Sequence, residues 1–209
     1  MRAPVIAPIV EGHGEVLAVR ILLTPIGLEL LHGTWIEVAQ PFRLDSGKMR
    51  KPDELAKAIR IAGARVTGPG GVLVLCDGDV AGADCPVRLA SMLRPDHPLT
   101  SGGVEVVVAY QEYESWFLAA AESLRGHPDV RDDAAAPADP EGKRDAKREL
   151  GKLMLESYKE TRHQPKFSAL IDLDSASVNS RSFRRMVRAV QTLAGTAEGQ
   201  ALRPGAPGG

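Results

Sequence analysis

The chain has 209 residues, 44% of them hydrophobic and 25% charged, which is enough to bury the core of one domain with at most an appendage. The net charge of -1 gives no global field, so a nucleic-acid partner would need a local basic patch. Cys76 and Cys85 follow no CxxC or zinc spacing, which indicates reduced thiols. We expect no signal peptide, and no apolar run approaches the ~20 residues of a membrane span. These features predict a cytoplasmic protein that does not enter a membrane.

Strand and helix alternate from the start of the chain. The apolar run Ala3–Val10 predicts a first strand, and apolar residues at 16, 19, 22 and 23 predict a helix after it. A second strand is predicted over Gly33–Leu44. A polar basic loop over Asp45–Lys51 and an amphipathic helix over Pro52–Arg65 follow it.

The third strand is the hydrophobic run Val72–Cys76, which is typical of a strand buried on both faces. A helix over Pro86–Leu93, a fourth strand over Gly103–Tyr110 and a helix that begins near Glu114 come next. This alternation predicts an α/β fold with a mainly parallel sheet flanked by helices and a helical C-terminal part.

The remaining chain is expected to be mostly helical, with one charged helix over Glu141–Tyr158 and another over Ser182–Leu193. We divide the chain into an α/β core (1–125), an exposed loop rich in Asp, Ala and Pro (126–140), a helical part that packs on the core (141–194) and a disordered tail (195–209).

Acidic residues follow two of the predicted strands. Glu11 and Glu15 follow the first, and Asp77 and Asp79 follow the third. They converge if those strands are neighbours, because parallel strands end at one edge, where open α/β sheets bind ligands. At ~5 Å and an effective dielectric constant of ~20, two carboxylates repel by roughly 3 kcal/mol, or about two pKa units. The acids then bind Mg²⁺ or Mn²⁺, take up protons, or turn outward into water.

Several named motifs fit poorly. A dinucleotide fingerprint needs glycine or alanine where the chain has Leu17, and the Gly47-Lys48 pair lacks the Ser or Thr of a phosphate-binding loop. Haloacid-dehalogenase-type phosphatases carry their aspartates on the first strand, with a threonine at the place of Ala81. Nucleotide-sugar transferases also use Asp-x-Asp, but the short chain leaves little room for an acceptor site. Neither of these classes needs Glu11.

An apolar strand that ends in Glu-Gly and a later one that ends in Asp-x-Asp resemble the TOPRIM domain of topoisomerases, primases and overcoming-lysogenization-defect (OLD) nucleases. The Glu11-x-x-x-Glu15 spacing is similar to that of the OLD group. Further segments resemble an uncharacterised bacterial family with a TOPRIM-like, Rossmann-like core, domain of unknown function family 4276. They are Val10–Glu15, Leu75–Asp79, Asp84–Pro86, Glu112–Ala119 and Gln164–Lys166.

The resemblance implies that Glu11, Glu15, Asp77 and Asp79 hold Mg²⁺ or Mn²⁺ for nucleic-acid cleavage, and that Lys166 neutralises a transition-state phosphate. It also implies an ATPase partner in anti-phage defence. This chain departs from the pattern at Val80–Ala83, where relatives are more acidic. A non-catalytic TOPRIM-like module that binds metal or a nucleotide is therefore the alternative, and Lys166 on an exposed loop would fit it.

Other residues have a functional and an ordinary interpretation. Glu114 is a candidate metal ligand or general base. Its ordinary interpretation is an acid at a helix start that interacts favourably with the helix dipole. Gly12, His13 and Gly14 form a turn that can cradle phosphate, or simply a tight turn. The basic residues of two segments would contact a phosphate backbone or form solvated faces; they are Lys48, Lys51, Arg184, Arg185 and Arg188.

Overall fold

One parallel sheet forms the centre of the protein. The structure is a computed structural model, and it describes residues 2–78 and 85–195. The sheet order is β2-β1-β4-β5, and β3 also pairs with β1. Within the described ranges, the five strands are β1 (Val5–Val10), β2 (Glu37–Val38), β3 (Phe42–Arg43), β4 (Gly70–Asp77) and β5 (Gly103–Ala109). This sheet confirms the predicted α/β class with helices on both faces.

Helices cover the two faces of the sheet and make up the C-terminal part. The α-helices in the described ranges are α1 (His13–Pro25), α2 (Ser46–Met49), α3 (Pro52–Gly63), α4 (Pro86–Leu93), α5 (Glu114–Ala119), α6 (Ala146–Lys152), α7 (Glu160–Leu170), α8 (Leu173–Asn179) and α9 (Arg181–Ala194). A π-helical turn, Ile26–Leu30, continues α1, and a 3₁₀ helix, Ala121–Gly126, follows α5.

The core is divided by the sheet into two layers. Along β4, Leu73 and Leu75 point to one face, whereas Val72 and Val74 point to the other. The helices α1, α5, α7, α8 and α9 cover the first face, and α3 and α4 cover the second. Because successive strand residues alternate between faces, this two-sided burial explains the continuous apolar run of the sequence.

The predicted second strand, Gly33–Leu44, is wrong in extent. Only β2 and β3 form there, and they pair with opposite ends of β1. Pro41 lies between them and has no amide hydrogen to donate to a ladder. The loop predicted over Asp45–Lys51 contains the short helix α2, since the Asp45 side chain accepts a hydrogen bond from the Lys48 amide at 3.1 Å.

The predicted helix Glu141–Tyr158 is also too long. Only α6 is helical, and it begins where the Asp145 side chain accepts a hydrogen bond from the Arg148 amide. Beyond α6, Met154 forms an antiparallel bridge with Val130. Conversely, Gln164-Pro165-Lys166 lies within α7 rather than on a loop.

After Gly126, which ends the 3₁₀ helix, the segment 126–140 forms no regular helix or strand, but it is only partly exposed. His127, Asp129, Val130 and Ala134 are buried. Of the expected tail, only Gly195 lies within the described residues. No helix in the two described ranges is long and apolar enough to cross a membrane.

Candidate functional site: an acidic edge of the sheet

The ends of β1 and β4 place two predicted site residues in contact. The strands are neighbours, and the Asp77 amide donates to Oε2 of Glu11 at 3.3 Å. Oδ1 of Asp77 accepts a hydrogen bond from the Tyr113 amide at 2.8 Å, which joins the end of β4 to the segment after β5. Sequence positions 11, 77 and 113 therefore meet at the carboxyl edge of the sheet, where ligands bind in open α/β folds.

Glu15 enters this edge from the first turn of α1. Its Oε2 accepts a hydrogen bond from the Glu11 amide at 3.1 Å, and only 4% of the residue is exposed. Burial, aided by the charges of Glu114 and Glu11, raises the pKa of Glu15 to about 7, although the backbone hydrogen bonds oppose this shift. Glu15 therefore holds a proton near neutral pH unless a cation replaces it.

Glu114, at the start of α5, is fully buried at the same edge. Its Oε1 accepts hydrogen bonds from the Tyr158 hydroxyl and the Gln164 amide, both at 2.8 Å. Its Oε2 has no hydrogen-bond partner in the part of the chain that the structure describes. Burial raises the pKa of Glu114 above its usual range, although Lys147 opposes the shift. A buried acceptor without a partner is costly, so this oxygen is a potential ligand atom.

Asp77 shows the electrostatic cost of the cluster. Burial, followed by the charges of Glu15 and Glu114, raises the pKa of Asp77 well above its usual value. Lys147 partly compensates this repulsion. We define the acidic edge as Glu11, Glu15, Asp77 and Glu114, the four carboxyl groups that these contacts and charges connect.

Lys147, on α6, is a cation that sequence reasoning missed. Its Nζ lies 3.2 Å from Oε1 of Glu112 and 3.1 Å from Oε1 of Glu160. Burial works against the charged form of Lys147, but the carboxylates of Glu114, Asp77 and Glu112 raise its pKa above the usual range. No local pattern around position 147 points to the strand ends, because the contact depends on how α6 packs.

Lys166, unlike Lys147, does not bring a positive charge to the acidic edge. It lies exposed on α7, and its charge acts on His127 rather than on the acidic edge. Two positions earlier on the same helix, Gln164 is 2% exposed and contacts Glu114. Residues two apart on a helix face different directions, so α7 can bring only one of the two to the acids.

Close packing explains the two glycines that were predicted to bind phosphate. Gly14 packs against α7, because a methyl group there would overlap Oε1 of Gln164 and lie 3.0 Å from the backbone carbon of Glu160. A methyl group at Gly12 would lie 3.0 Å from Oε1 of Glu15. These close approaches account for both glycines without a phosphate.

The charged candidates around that turn lie at the surface. His13 is the exposed first residue of α1. Lys48 lies 3.7 Å from Asp45, and Lys51 is exposed at the start of α3. Asp79 lies outside the described residues.

The acidic edge fits a hard divalent cation in donor chemistry, since its donors are carboxylate oxygens and Glu114 has a free one. It does not present a ready ligand set. Among residues 2–78 and 85–195, no group of three or more His, Cys, Asp or Glu side chains is arranged to hold a metal ion. One oxygen each of Glu11 and Glu15 faces a backbone amide instead. Binding would require those side chains to turn.

Comparison with known proteins identifies a family. No curated protein and no solved structure matches the chain significantly. A family model described as "Domain of unknown function (DUF4276)" matches residues 10–191, a range that includes the whole acidic edge, Lys147 and Gln164. The chain belongs to this family.

Proposed function

We propose that the acidic edge binds Mg²⁺ or Mn²⁺ and that the protein is a TOPRIM-type hydrolase of nucleic-acid phosphodiesters. One observation carries the proposal: Glu11, Glu15, Asp77 and Glu114 meet at the carboxyl edge of the sheet, and Oε2 of Glu114 lacks a partner among the described residues. The Glu-Gly and Asp-x-Asp strand ends, which resemble TOPRIM motifs, support the same conclusion.

The charge balance of this edge favours a cation. The charge of Lys147 acts on Asp77 and Glu114, but its Nζ already lies 3.2 Å from Oε1 of Glu112. The raised pKa values of Glu15, Asp77 and Glu114 favour the protonated, uncharged forms of these carboxyl groups and so reduce their mutual repulsion. A divalent cation would displace those protons, because it interacts with several carboxylates at once.

In the proposed reaction the cation would be held by Glu11, Glu15, Asp77 and Glu114. It would supply Lewis-acid stabilisation of the phosphoryl oxygens and lower the pKa of water. Oε2 of Glu114, which has no hydrogen-bond partner among the described residues, would be the ligand atom of that residue. Tyr158 and Gln164 hold the other oxygen of Glu114 and so orient the carboxyl group.

A cleavage assay tests the proposal. Wild type and Asp77→Asn are incubated with plasmid DNA, single-stranded DNA and RNA, with Mg²⁺, with Mn²⁺ or with EDTA. We expect cleavage that needs a divalent cation and is lost in Asp77→Asn. Glu54→Gln, an exposed acid on α3, is the matched control and should cleave as wild type does. Equal cleavage by wild type and Asp77→Asn would refute the assignment of this site.

A second function, a non-catalytic TOPRIM-like module, is favoured by one specific observation. The described residues offer no ready group of three metal ligands, and Glu11 and Glu15 contact backbone amides. Such a module would bind metal or a nucleotide and act through a partner, as the implied pairing with an ATPase suggests. Mn²⁺ would then raise the melting temperature, while no nucleic acid would be cut even with the ATPase present.

A further inference from the structure

The outer face of α9 carries three exposed arginines in a row. Arg181, Arg185 and Arg188 are spaced four and three residues apart, which places them on one side of the helix. The opposite side is buried and contributes Phe183 and Val190 to the core. We call the three arginines the arginine face.

The charges of the arginine face are uncompensated. In the part of the chain that the structure describes, the guanidinium groups of Arg181, Arg185 and Arg188 have no salt bridge and no hydrogen bond. Arg184, one position before Arg185, behaves differently, because its Nη1 donates to the backbone oxygen of Val178 at 3.0 Å. The arginine face is therefore available to an external anion, whereas Arg184 stabilises the turn before its own helix.

Two grooves run along this face and meet at Arg185. One, of about 540 Å³, lies beside Arg181 and Arg185 and is bounded by Tyr110. The other, of about 680 Å³, lies between Arg188 and the start of β5 at Gly103. Gly103 begins β5 and Tyr110 follows its last residue, so the two grooves lie at opposite ends of this edge strand of the sheet.

The acids that line these grooves form ion pairs or accept hydrogen bonds within the protein. Oε2 of Glu105 lies 2.7 Å from Nη2 of Arg94. Oε1 of Glu141 accepts hydrogen bonds from Ser182 and Ser180. Oδ1 of Asp139 accepts one from the Gly142 amide. The donors to Glu141 and Asp139 are neutral, so both carboxylates keep their charge. The two grooves together are lined by five arginines and three acids, so their net charge is positive.

The first groove opens at the same end of the sheet as the acidic edge. Asp77 is opposite Ala109 in the ladder between β4 and β5, and Tyr110 is the next residue along the chain. A strand that leaves the acidic edge across the end of β5 would enter the groove that Arg181 and Arg185 line. It would then pass Arg188, which lies about 10 Å from Arg181 along α9 at ~1.5 Å per residue.

We propose that the arginine face binds the phosphate backbone of a nucleic-acid strand whose adjoining phosphodiester lies at the acidic edge. The link to cleavage rests on the proposed function, but the binding does not. One strand carries a phosphate for each ~3.4 Å of helix axis, so about three phosphates fit beside the three arginines. Guanidinium groups bind phosphate oxygens through paired hydrogen bonds, and base identity is not read by such contacts.

Fluorescence anisotropy in EDTA tests binding without cleavage. The probes are a labelled single-stranded DNA, the matching duplex and the matching RNA, each titrated at several salt concentrations. For Arg185→Ala/Arg188→Ala we expect at least about tenfold weaker binding and a salt slope smaller by roughly two, one for each lost phosphate contact. The matched control is Lys57→Ala/Arg60→Ala, which removes the same charge from exposed positions on α3.

Equal losses in the two double variants, or unchanged binding in Arg185→Ala/Arg188→Ala, would overturn the proposal. So would the absence of binding by wild type, or binding of polyglutamate as strong as that of DNA, which would indicate an acidic protein partner. Asp77→Asn separates this proposal from the proposed function, since it should bind DNA in EDTA at least as tightly as wild type. If wild type binds through the arginine face but never cleaves, the proposed function fails and this inference stands.

Discussion

The side-chain amide of Gln164 donates to Oε1 of Glu114 at 2.8 Å, across fifty positions of sequence. Both residues are buried, and in the described ranges Oε2 of Glu114 and Oε1 of Gln164 have no hydrogen-bond partner. This contact joins α7 to the acidic edge and fixes one oxygen of a carboxyl group while the other stays free.

Removing that contact should weaken metal binding. In Gln164→Met, Glu114 loses a donor that stabilises its charged form, so we expect Mn²⁺ affinity to fall about tenfold, the lower range for partners that orient a ligand. Isothermal titration calorimetry measures the change. Lys166→Met, on the same helix but exposed, is the control and should bind as wild type does. Equal affinities for wild type and Gln164→Met would contradict the role given to this hydrogen bond.

The stability of the metal-free protein should decrease as the pH rises. The pKa of Glu15 is raised by burial to about 7 from its ordinary 4.5, so between these values the folded state holds a proton that the unfolded chain has lost. The contribution of this proton is fully present below about 4.5 and disappears as the pH passes about 7. It amounts to on the order of 3 kcal/mol.

Urea denaturation in EDTA at about pH 5 and about pH 8 measures this difference. Glu15→Gln should show a flatter dependence on pH than wild type, because glutamine does not titrate. Asp77 and Glu114 shift in the same direction and will leave a residual slope. A wild type whose free energy of unfolding rises across this interval would contradict the buried, protonated cluster.

Lys147→Met should destabilise the protein more at high pH than at low pH. Glu112 is only 7% exposed. In Lys147→Met its carboxylate still accepts a hydrogen bond from the backbone amide of residue 147, but it loses the ion pair with the lysine ammonium. We expect a loss of about 1–3 kcal/mol at about pH 8, and a smaller loss at about pH 5, where the surrounding acids hold more protons. Lys166→Met should stay within about 0.5 kcal/mol of wild type. Equal losses in the two variants would place Lys147 outside the cluster.

Gly14→Ala should loosen the contact between α1 and α7. The new methyl group would overlap Gln164 and press on the backbone of Glu160, so we expect a loss of about 1–3 kcal/mol, as for an overpacked core. The control is Gly151→Ala on α6, where nothing lies within 4 Å of the added carbon. This control should be neutral, or more stable by up to about 1 kcal/mol. Thermal and urea denaturation compare the two, and similar behaviour would show that Gly14 is not packed as described.

The sequence predicted the parts of the site that depend on strand order. Glu11 and Asp77 end apolar runs, and parallel strands bring such ends to one edge. Lys147 and Gln164 could not be predicted in the same way, because their positions depend on how α6 and α7 pack. The strand expected over Gly33–Leu44 is wrong for a local reason: the composition favours a strand, but Pro41 has no amide hydrogen to donate and separates β2 from β3.

The most direct measurement is isothermal titration calorimetry, with Mn²⁺ titrated into the metal-free protein. Wild type should bind at one location, and both Glu114→Gln and Asp77→Asn should lose that binding, because the two carboxyl groups reach the same site from the start of α5 and the end of β4. Glu54→Gln, exposed on α3, should bind as wild type does. Wild type that binds no divalent cation, or variants at positions 77 and 114 that bind it unchanged, would contradict the account.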